Sequence, residues 1–408
     1  MQHLGDITKI SGYHAPVVDC IIGGSPCQDL SVAGKRAGLA GERSGLFMEQ
    51  IRIVKEMRQR ERDIGRSGKS VRPRYMVWEN VPGAFSSNQG KDFAAVLEET
   101  IRIAEPEAPD IPVPEKGWPT SGCLMGEGWS VAWRVLDAQF WGVPQRRRRI
   151  ALVADFGGLS APEILFVRKG MSGDFEESGD KRQETAGAAG EGLDSTIPYT
   201  LVFGIGSYHS NAWKSDNPES GVYEADTAKT LDALNCGYPA CNQGGMAVVQ
   251  PVLASGKHAV GTLMANAGTK LWLGNQEAFS GDYHIIEKHC SQYIVRRLTP
   301  LECERLQGFP DGWTDIGEWV DSKGKKHKEA DSPRYKALGN SIALPPWKWV
   351  LKRICAQYER DATMASLFDG IGGFPLIWEQ LNGKGSCLWA SEIEEFPIAV
   401  TKLRFGGD

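Results

Sequence analysis

Two short apolar segments, near opposite ends of this chain, each end in glycines. They read VVDCIIGG at 17–24 and MASLFDGIGG at 364–373. Short apolar runs that stop at glycines are typical of buried strands, and glycines after a strand let the backbone turn tightly and approach a ligand closely. The two segments therefore predict two strands whose glycine-rich ends are where a ligand would bind.

Outside these two segments, the pattern of apolar residues predicts strands that alternate with helices along the chain. Apolar residues at helical spacing predict helices at 45–63 and 93–104, a helix that starts at Thr299, and another within 342–360. Further strands are predicted at 74–81, 129–143, 148–156 and 386–392. This alternation predicts an α/β fold, a doubly wound and mostly parallel sheet with its functional residues at the strand ends.

Composition divides the chain into three parts. Residues 169–195 are rich in Gly, Ser, Ala and acidic residues and poor in large apolar ones, which predicts a mobile linker. The chain then stays polar, with short alternating stretches that predict small strands and long loops, to about residue 293. We therefore predict a first α/β part at 1–157, a smaller, irregular β-rich domain at 158–293 and a second α/β part at 294–408.

Composition and charge also exclude some classes of protein. No apolar stretch is long enough to span a membrane, and the first residues lack the pattern of a signal peptide. The nine cysteines are odd in number and scattered, which favours reduced thiols in a cytoplasmic protein over a disulfide framework. The formal net charge is −5, so a nucleic-acid partner would need a local basic surface, such as the QRRRR run at 145–149.

The glycine turn near the C-terminus has features of a nucleoside site. Glu392, at the end of the next predicted strand, follows Asp369 by 23 residues, close to the spacing at which a carboxylate binds a ribose. The glycines do not form the G-x-G-x-x-G pattern of dinucleotide sites. A cofactor with one nucleoside and no pyrophosphate fits better, and S-adenosylmethionine meets that description. An ordinary tight turn is the alternative.

Six motifs together resemble those of DNA (cytosine-5)-methyltransferases. They are SPCQDLSVAGKRAG at 25–38, WENVPG at 78–83, QRRRR at 145–149, RRLTPLECERLQGFP at 296–310, KALGNS at 336–341 and FDGIGGF at 368–374. The resemblance covers most of the chain outside about 158–292. It implies the S-adenosylmethionine-dependent methyltransferase fold, a target-recognition domain at 158–293, and methyl transfer to carbon 5 of a cytosine in a specific duplex DNA sequence.

The order of the motifs departs from that of the family. Members usually begin with the glycine loop, whereas here it comes last, at 364–392, and LGDITKI at 4–10 resembles the segment that normally follows it. This order fits a circular permutation, and a fusion or an engineered order explains it equally well. Permutation is tolerated when the original ends lie close together, so the site could be unchanged.

The resemblance assigns the reaction to four residues. Cys27 is the nucleophile that adds to carbon 6 of the cytosine, and Glu79 hydrogen-bonds ring nitrogen 3 and the amino group. Arg149 contacts the cytosine carbonyl or holds Glu79, and Arg147 lies near the thiol and the flipped nucleotide. Further substrate contacts are expected from Pro26, Gln28, Asn80 and Gln145.

The resemblance also assigns the cofactor site. Phe368 packs on the adenine, Glu392 binds the ribose, and Ile393 stands where relatives often have a tryptophan. The other expected contacts are the turn of Gly370, Gly372 and Gly373, the adenine edge at Asp6 and Ile7, and the Gly-Asn-Ser turn with Asn340 and Ser341 beside the methionine portion.

The implied substrate sets the expected partners. The base must leave the duplex, because carbon 6 is unreachable within a base stack, and residues 31–44 resemble the loop that closes over it. The resemblance implies a monomeric, cytoplasmic, bacterial or phage-encoded protein with no metal and no membrane. Its partners are double-stranded DNA and, in a restriction-modification setting, a cognate endonuclease.

Other functions fit the residues less well. An RNA cytosine-5 methyltransferase would share the chemistry, but the long 158–293 region favours duplex DNA. A thiol hydrolase would need a histidine paired with Cys27, and no histidine has that context. A non-catalytic DNA-binding relative would usually have lost Cys27 or Glu79. The irregular spacing of Cys236, Cys241, His289 and Cys290 disfavours a zinc site.

Overall fold

The computed structural model describes residues 1–25, 45–166 and 298–406, and the backbone of five strands between 201 and 296. Its largest element is a mixed sheet of eight strands. In spatial order they are β1 (Gln2–His3), β15 (Cys387–Ser391), β14 (Met364–Leu367), β2 (Cys20–Gly23), β3 (Tyr75–Asn80), β6 (Arg148–Asp155), β5 (Trp129–Asp137) and β4 (Ser121–Gly126). The first five are parallel, and the last three continue the sheet through antiparallel pairs.

The helices of the described ranges cover both faces of this sheet. They are α1 (Gly45–Asp63), α2 (Lys91–Ile101), α3 (Ala161–Leu165), α4 (Pro300–Gln307), α5 (Asp331–Asn340), α6 (Leu344–Cys355), α7 (Gly373–Asn382) and α8 (Glu395–Phe405). Helices α1 and α2 pack on the face that carries Trp78 and Trp389. Helices α6 and α7 pack on the opposite face, which carries Ile22 and Met364. The predicted doubly wound α/β architecture is therefore confirmed.

Local chemistry explains where several elements begin and end. Helix α4 begins where it was predicted, because the Thr299 hydroxyl accepts a hydrogen bond from the Glu302 N–H at 3.2 Å and the Glu302 carboxylate accepts one from the Thr299 N–H at 2.7 Å. Strand β5 is shorter than predicted. It ends at Asp137, whose carboxylate accepts a hydrogen bond from the Gln139 N–H and caps the 3-10 turn Ala138–Phe140.

The two ends of the chain meet within the large sheet. Strand β1 pairs in parallel with β15, and helix α8 follows β15, so a strand–helix–strand unit is assembled from both ends of the sequence. The His3 Nε2 atom lies 3.0 Å from the Thr401 hydroxyl of α8. Burial, followed by the charge of Lys402, lowers the pKa of His3 to about 4, so its ring is neutral at pH 7.

A second sheet lies in the region predicted to be a separate β-rich domain. Its five strands are all antiparallel and run in the order β10 (Ile286–Lys288), β11 (Ser291–Arg296), β9 (Met246–Val252), β7 (Leu201–Ile205) and β8 (Val222–Glu224). The first α/β part extends beyond the predicted boundary at residue 157, because Ala161, Ile164 and Leu165 of α3 are buried in the core of the large sheet.

Two further features complete the described structure. A short hairpin of β12 (Trp319–Val320) and β13 (Lys326–His327) precedes α5 and had no counterpart in the sequence prediction. Within the described ranges, no helix is both long enough and apolar enough to cross a membrane.

A buried ion pair fixes the end of β6 and the start of α3. Both Asp155 oxygens accept hydrogen bonds from Arg74, at 2.9 and 2.8 Å, and one also accepts from the Ser160 hydroxyl at 2.6 Å. Burial alone would raise the pKa of Asp155, but the bonds from Arg74 and Ser160 outweigh it and hold the pKa below its ordinary value. The carboxylate therefore stabilises the fold above pH 4, and this contribution is lost as the pH falls through the lowered pKa.

We predict that Asp155→Asn lowers the free energy of unfolding by about 3 kcal/mol or more, because the Arg74 charge stays buried without its partner. Urea denaturation at pH 7 measures the change. The matched control is Asp311→Asn, whose pair with Arg305 spans 2.6 Å but leaves the Asp311 side chain 56% exposed. The control should cost less than about 1 kcal/mol. Equal losses in the two variants would contradict the prediction.

Candidate active site

The carboxyl ends of the central strands bring the predicted site residues to one edge of the sheet. Leu367 of β14 is registered with Gly23 of β2 on one side and with Ser391 of β15 on the other, and Gly23 is registered with Trp78 of β3. The residues that follow these positions are Phe368, Gly24, Glu392 and Glu79. Parallel pairing therefore places Gly24, which begins the segment leading to Cys27 (here called the cysteine loop), between the glycine turn and the strand that carries Glu79.

The backbone that leads to Cys27 is held in place by β3. The Ser25 hydroxyl accepts hydrogen bonds from Trp78 Nε1 at 3.0 Å and from Asn80 Nδ2 at 3.4 Å. Sequence reasoning did not identify Ser25 as a site residue, although its position beside the Pro-Cys pair was a usable signal. Gln50 of α1 was also missed. Its buried amide donates a hydrogen bond to the Val77 carbonyl at 3.0 Å. The sequence signal that could have identified Gln50 is a polar side chain on the otherwise apolar face of a predicted helix.

Glu79 lies between the cysteine loop and the arginine motif. Its Oε1 atom is 2.9 Å from Arg149 Nε, and both side chains are mostly buried. A Cβ atom at Gly24 would lie 2.8 Å from Glu79 Oε2, so a glycine is needed for the carboxylate to occupy this position. The pair can orient a carboxyl group toward a bound base and compensate its charge.

The arginine motif divides between surface and interior. Arg146 and Arg148 are exposed, whereas Arg147 is buried and its guanidinium donates to the carbonyls of Gly339, at 3.1 Å, and of Ser341. Arg147 thus links this motif to the segment of Asn340 and Ser341. The predicted Gly-Asn-Ser turn is the carboxyl end of a helix, because Asn340 is the last residue of α5 and Ser341 follows as its C-cap.

Gln145 and Asn80 differ in how their side-chain amides are satisfied. Gln145 is fully buried, and neither atom of its amide has a hydrogen-bond partner among the described residues. The Asn80 amide is satisfied on both sides, because Oδ1 accepts from the Val81 N–H at 2.8 Å and Nδ2 donates to Ser25.

The glycine turn is shaped by the carboxylate of Glu392. One of its oxygens accepts a hydrogen bond from the Gly370 N–H at 2.7 Å, and the other accepts from the Ile393 and Glu394 N–H groups at 2.7 and 2.9 Å. Phe368 has a φ of +56°, in the left-handed region that bulky residues rarely adopt. A Cβ atom at Gly370 would meet no heavy atom of the described residues within 4 Å, so the turn faces open space among them.

The remaining predicted cofactor residues have different exposures. Ile393 is 69% exposed beside Glu392, and Asn340 is also exposed. Asp6 accepts hydrogen bonds from the N–H and hydroxyl of Thr8 at 3.0 and 2.8 Å, and these bonds lower its pKa. Ile7 is buried in the core, and its carbonyl already accepts hydrogen bonds from the Ile10 N–H and from Arg52.

Asp369 is an unusual group within the glycine turn. Both of its carboxyl oxygens are buried without a hydrogen-bond partner among the described residues. Burial raises the pKa of Asp369 to about 8, and the charge of Glu392 acts in the same direction; the Ser366 hydroxyl lies nearby and opposes this shift without forming a hydrogen bond that satisfies the carboxyl group. Nothing in the local sequence indicates the burial of Asp369, which entered the prediction only as the residue from which the spacing to Glu392 is counted.

Several predicted residues lie outside the described ranges. They are Pro26, Cys27 and Gln28, the loop at 31–44, the linker at 169–195 and the disfavoured zinc ligands Cys236, Cys241, His289 and Cys290. Within the described part of the chain, no group of histidine, cysteine and acidic side chains is arranged to hold a metal ion.

We predict that Asp369→Asn stabilises the protein increasingly as the pH rises. A raised pKa means that the wild-type group favours the folded state only while it is protonated, so stability is lost between pH 4 and pH 8. Between pH 5 and pH 8 the variant should gain about 1–3 kcal/mol of unfolding free energy relative to wild type, measured by urea denaturation. Asp361→Asn, at an exposed acid, is the control. Parallel pH profiles for Asp369→Asn and wild type would contradict the prediction.

Comparisons with known proteins agree with the motifs. The chain matches the family model described as C-5 cytosine-specific DNA methylase over residues 1–103 and 123–356. It is 30% identical over 445 residues to a protein named DNA N-6-adenine-methyltransferase from Escherichia phage P1, covering 89% of this chain and 57% of that protein. It is 32% identical over 355 residues to Type II methyltransferase M.BsuFI from Bacillus subtilis, covering 85% of this chain and 60% of that protein.

The chain thus spans less than two thirds of the length of either relative. A crystal structure of S. pombe Dnmt2 methyltransferase aligns with 86% of this chain and 83% of its own, at 14% identity and a TM-score of 0.42, which is too low to bear on function. The family match covers most of the chain. The chain therefore belongs to the C-5 cytosine-specific DNA methylase family.

Proposed function

We propose that the chain transfers a methyl group from S-adenosylmethionine to carbon 5 of a cytosine flipped out of duplex DNA, through a covalent adduct on Cys27. The observation that carries the proposal is the register of β14, β2 and β3. It brings the glycine turn, the backbone two residues before Cys27 and the Glu79–Arg149 pair to one edge of the sheet. A methyl donor, a nucleophile and a group that binds the base are what this reaction requires.

The glycine turn has the chemistry to hold the cofactor. The open space beside Gly370 admits a ligand close to the backbone, the Phe368 ring is partly exposed next to it, and the Glu392 carboxylate stands at the next strand end. In this proposal Phe368 packs on the adenine and Glu392 binds the ribose, with Ile393 as an apolar wall. When bound, S-adenosylmethionine supplies an electrophilic methyl group.

The residues of the chain would then carry the covalent chemistry. The Cys27 thiolate adds to carbon 6 of the cytosine, and the electron pair that this makes available at carbon 5 would form the bond to the methyl group while the bond from that methyl group to the sulfonium sulfur breaks and leaves its electron pair on the sulfur. Loss of the proton from carbon 5 re-forms the double bond and expels the thiolate. Glu79 hydrogen-bonds ring nitrogen 3 and the amino group, which stabilises the electron-rich adduct. Arg149 holds the Glu79 carboxyl group in place across 2.9 Å.

Other parts of the proposal concern the whole protein. The antiparallel sheet of β7–β11 would belong to the target-recognition domain, which reads the DNA sequence in a groove. The strand–helix–strand unit made from both ends of the chain supports a circularly permuted arrangement of the family's cofactor segment. We also propose that the protein acts as a cytoplasmic monomer, with a cognate endonuclease as a partner where it serves restriction-modification.

The name of the phage P1 relative raises methylation of adenine as a second activity to test. That relative is considerably longer than its match to this chain. The Pro-Cys-Gln sequence at 26–28 favours the cytosine reaction, because attack by a thiolate on carbon 6 is needed to activate carbon 5, whereas an exocyclic amino group needs no covalent activation.

One experiment tests the proposed function and its rivals together. The protein is incubated with labelled S-adenosylmethionine and either plasmid DNA or RNA, and the products are digested and separated as nucleosides. We expect labelled 5-methylcytosine from DNA. Label only in N6-methyladenine or only in RNA would contradict the proposal. Binding of the cofactor with no transfer to any nucleic acid would favour a non-catalytic DNA-binding protein.

We predict that Cys27→Ser reduces methyl transfer to background while largely sparing duplex binding, because a serine hydroxyl is a much weaker nucleophile than a thiolate. Cys123→Ser, at an exposed cysteine of β4, is the matched control and should keep full activity. Transfer and DNA affinity are measured in parallel. Turnover retained by Cys27→Ser would remove Cys27 from the mechanism.

A further inference from the structure

We propose that the hairpin at residues 319–328, here called the lysine hairpin, contacts the phosphate backbone of duplex DNA beside the active-site edge. This inference rests on the proposed function, since it takes DNA to be the substrate. It adds a contact surface that belongs neither to the motifs at 25–38, 78–83 and 145–149 nor to the β-rich region.

The lysine hairpin has a defined geometry. Trp319 pairs with His327 and Val320 pairs with Lys326. The rings of Trp319 and His327 stack with their centroids 4.2 Å apart and 10° between their planes. Asp321 organises the turn, because its carboxylate accepts hydrogen bonds from the Lys323 and Lys325 N–H groups at 3.0 and 2.9 Å and lies 2.9 Å from His327 Nε2.

The hairpin is fastened to the edge of the sheet that carries the active site. The Ser322 N–H donates to the Glu395 carboxylate at 2.9 Å, and the rings of Trp319 and Phe396 meet edge to face at 5.6 Å. Both partners lie in the first turn of α8, which begins three residues after Glu392. The lysine hairpin is therefore anchored at the carboxyl-end edge of the sheet, beside Glu392 and on the same edge as the predicted site.

The charge of the hairpin is directed to the solvent. Lys323, Lys325, Lys326 and Lys328 are all exposed, and none of them forms an ion pair within the described part of the chain. Two neighbouring acids are held by hydrogen bonds, because Asp321 binds its own turn and Glu395 binds Ser322, and the charge of Lys323 also helps to lower the pKa of Glu395. Two further acids, Glu318 and Glu329, flank the hairpin at its two ends, and neither forms an ion pair with a described residue.

Within residues 319–328 four lysines stand against one acid, Asp321, so the hairpin is a locally basic surface that attracts a polyanion although the chain has a net charge of −5. Lysine is a compact point charge that binds phosphate without reading bases. Duplex DNA carries phosphates on both sides of any flipped nucleotide, and a duplex bound across this edge of the sheet would present some of them to the hairpin. The lysine hairpin would thus raise affinity for every DNA sequence alike.

The test compares two triple variants of the full chain. The first is Lys323→Gln/Lys325→Gln/Lys326→Gln. The matched control is Lys69→Gln/Lys352→Gln/Lys384→Gln, whose exposed lysines lie in segments that lead to the opposite, amino-terminal ends of the strands. Affinity for a short fluorescent duplex is measured by anisotropy over a range of NaCl concentrations, and methyl transfer is followed at saturating DNA.

Each phosphate contact contributes about 0.9 to the slope of log Kd against log salt. We expect the hairpin variant to lose about 2 from this slope and roughly tenfold in affinity at about 0.1 M NaCl, with its transfer rate at saturating DNA and its melting temperature unchanged. The control should match wild type. A hairpin variant whose slope equals that of the control would overturn the inference while leaving the proposed function intact, and absence of transfer by wild type would instead reject the function.

Discussion

The parallel pairing of β14 with β2 is the interaction on which the site depends. It joins segments that are 344 residues apart in sequence, and the Asp19 carboxylate fastens them just before the strands begin. Asp19 accepts hydrogen bonds from Arg360 at 2.7 and 2.8 Å and from the Thr363 N–H at 2.8 Å. Burial opposes ionisation of Asp19, but these bonds outweigh it and keep its pKa below the ordinary value. With this register fixed, the glycine turn and the cysteine loop must leave the sheet side by side.

Carboxylates organise both halves of the edge, each in a different way. Glu392 is committed to three backbone N–H groups, which set the shape of the glycine turn before any ligand arrives. Glu79 forms an ion pair with Arg149, and this contact fixes the orientation of the Glu79 carboxylate. Preorganisation of this kind reduces the reorganisation that binding and reaction would otherwise require. Asp369 is the exception, because its burial favours the neutral acid over a structural charge.

The sequence could predict those parts of the fold that have a local signal. Strands β2, β3 and β14 are short apolar runs, and Thr299, a residue type that commonly caps helices, predicts the start of α4. The lysine hairpin has no such signal, since each of its strands has two residues and its stability comes from contacts of Trp319 with His327 and Phe396. Asn340 resembled a turn residue but completes a helix, because the preceding residues of α5 continue the helical pattern to that point.

For the site, the sequence could predict which residues belong to it but not the partners that those residues find in distant segments. Alternation along QRRRR could place Arg147 and Arg149 on one face, but it could not identify the carbonyls of Gly339 and Ser341 as partners of Arg147, because they come from a distant segment. The burial of Asp369 and the support of Ser25 by Trp78 also arise only from packing between strands. The role of Cys27 remains a prediction from its motif.

The central claim is that a cofactor at the C-terminal glycine turn and the N-terminal Cys27 act on the same base. A duplex in which 5-fluorocytosine replaces cytosine tests it directly, because carbon 5 then carries no proton to lose after methyl transfer and the thiolate cannot be expelled. Peptide mass spectrometry after incubation should find methylated 5-fluorocytosine attached to Cys27, and only when S-adenosylmethionine is present. An adduct on another residue, or none with the cofactor bound, would contradict the account.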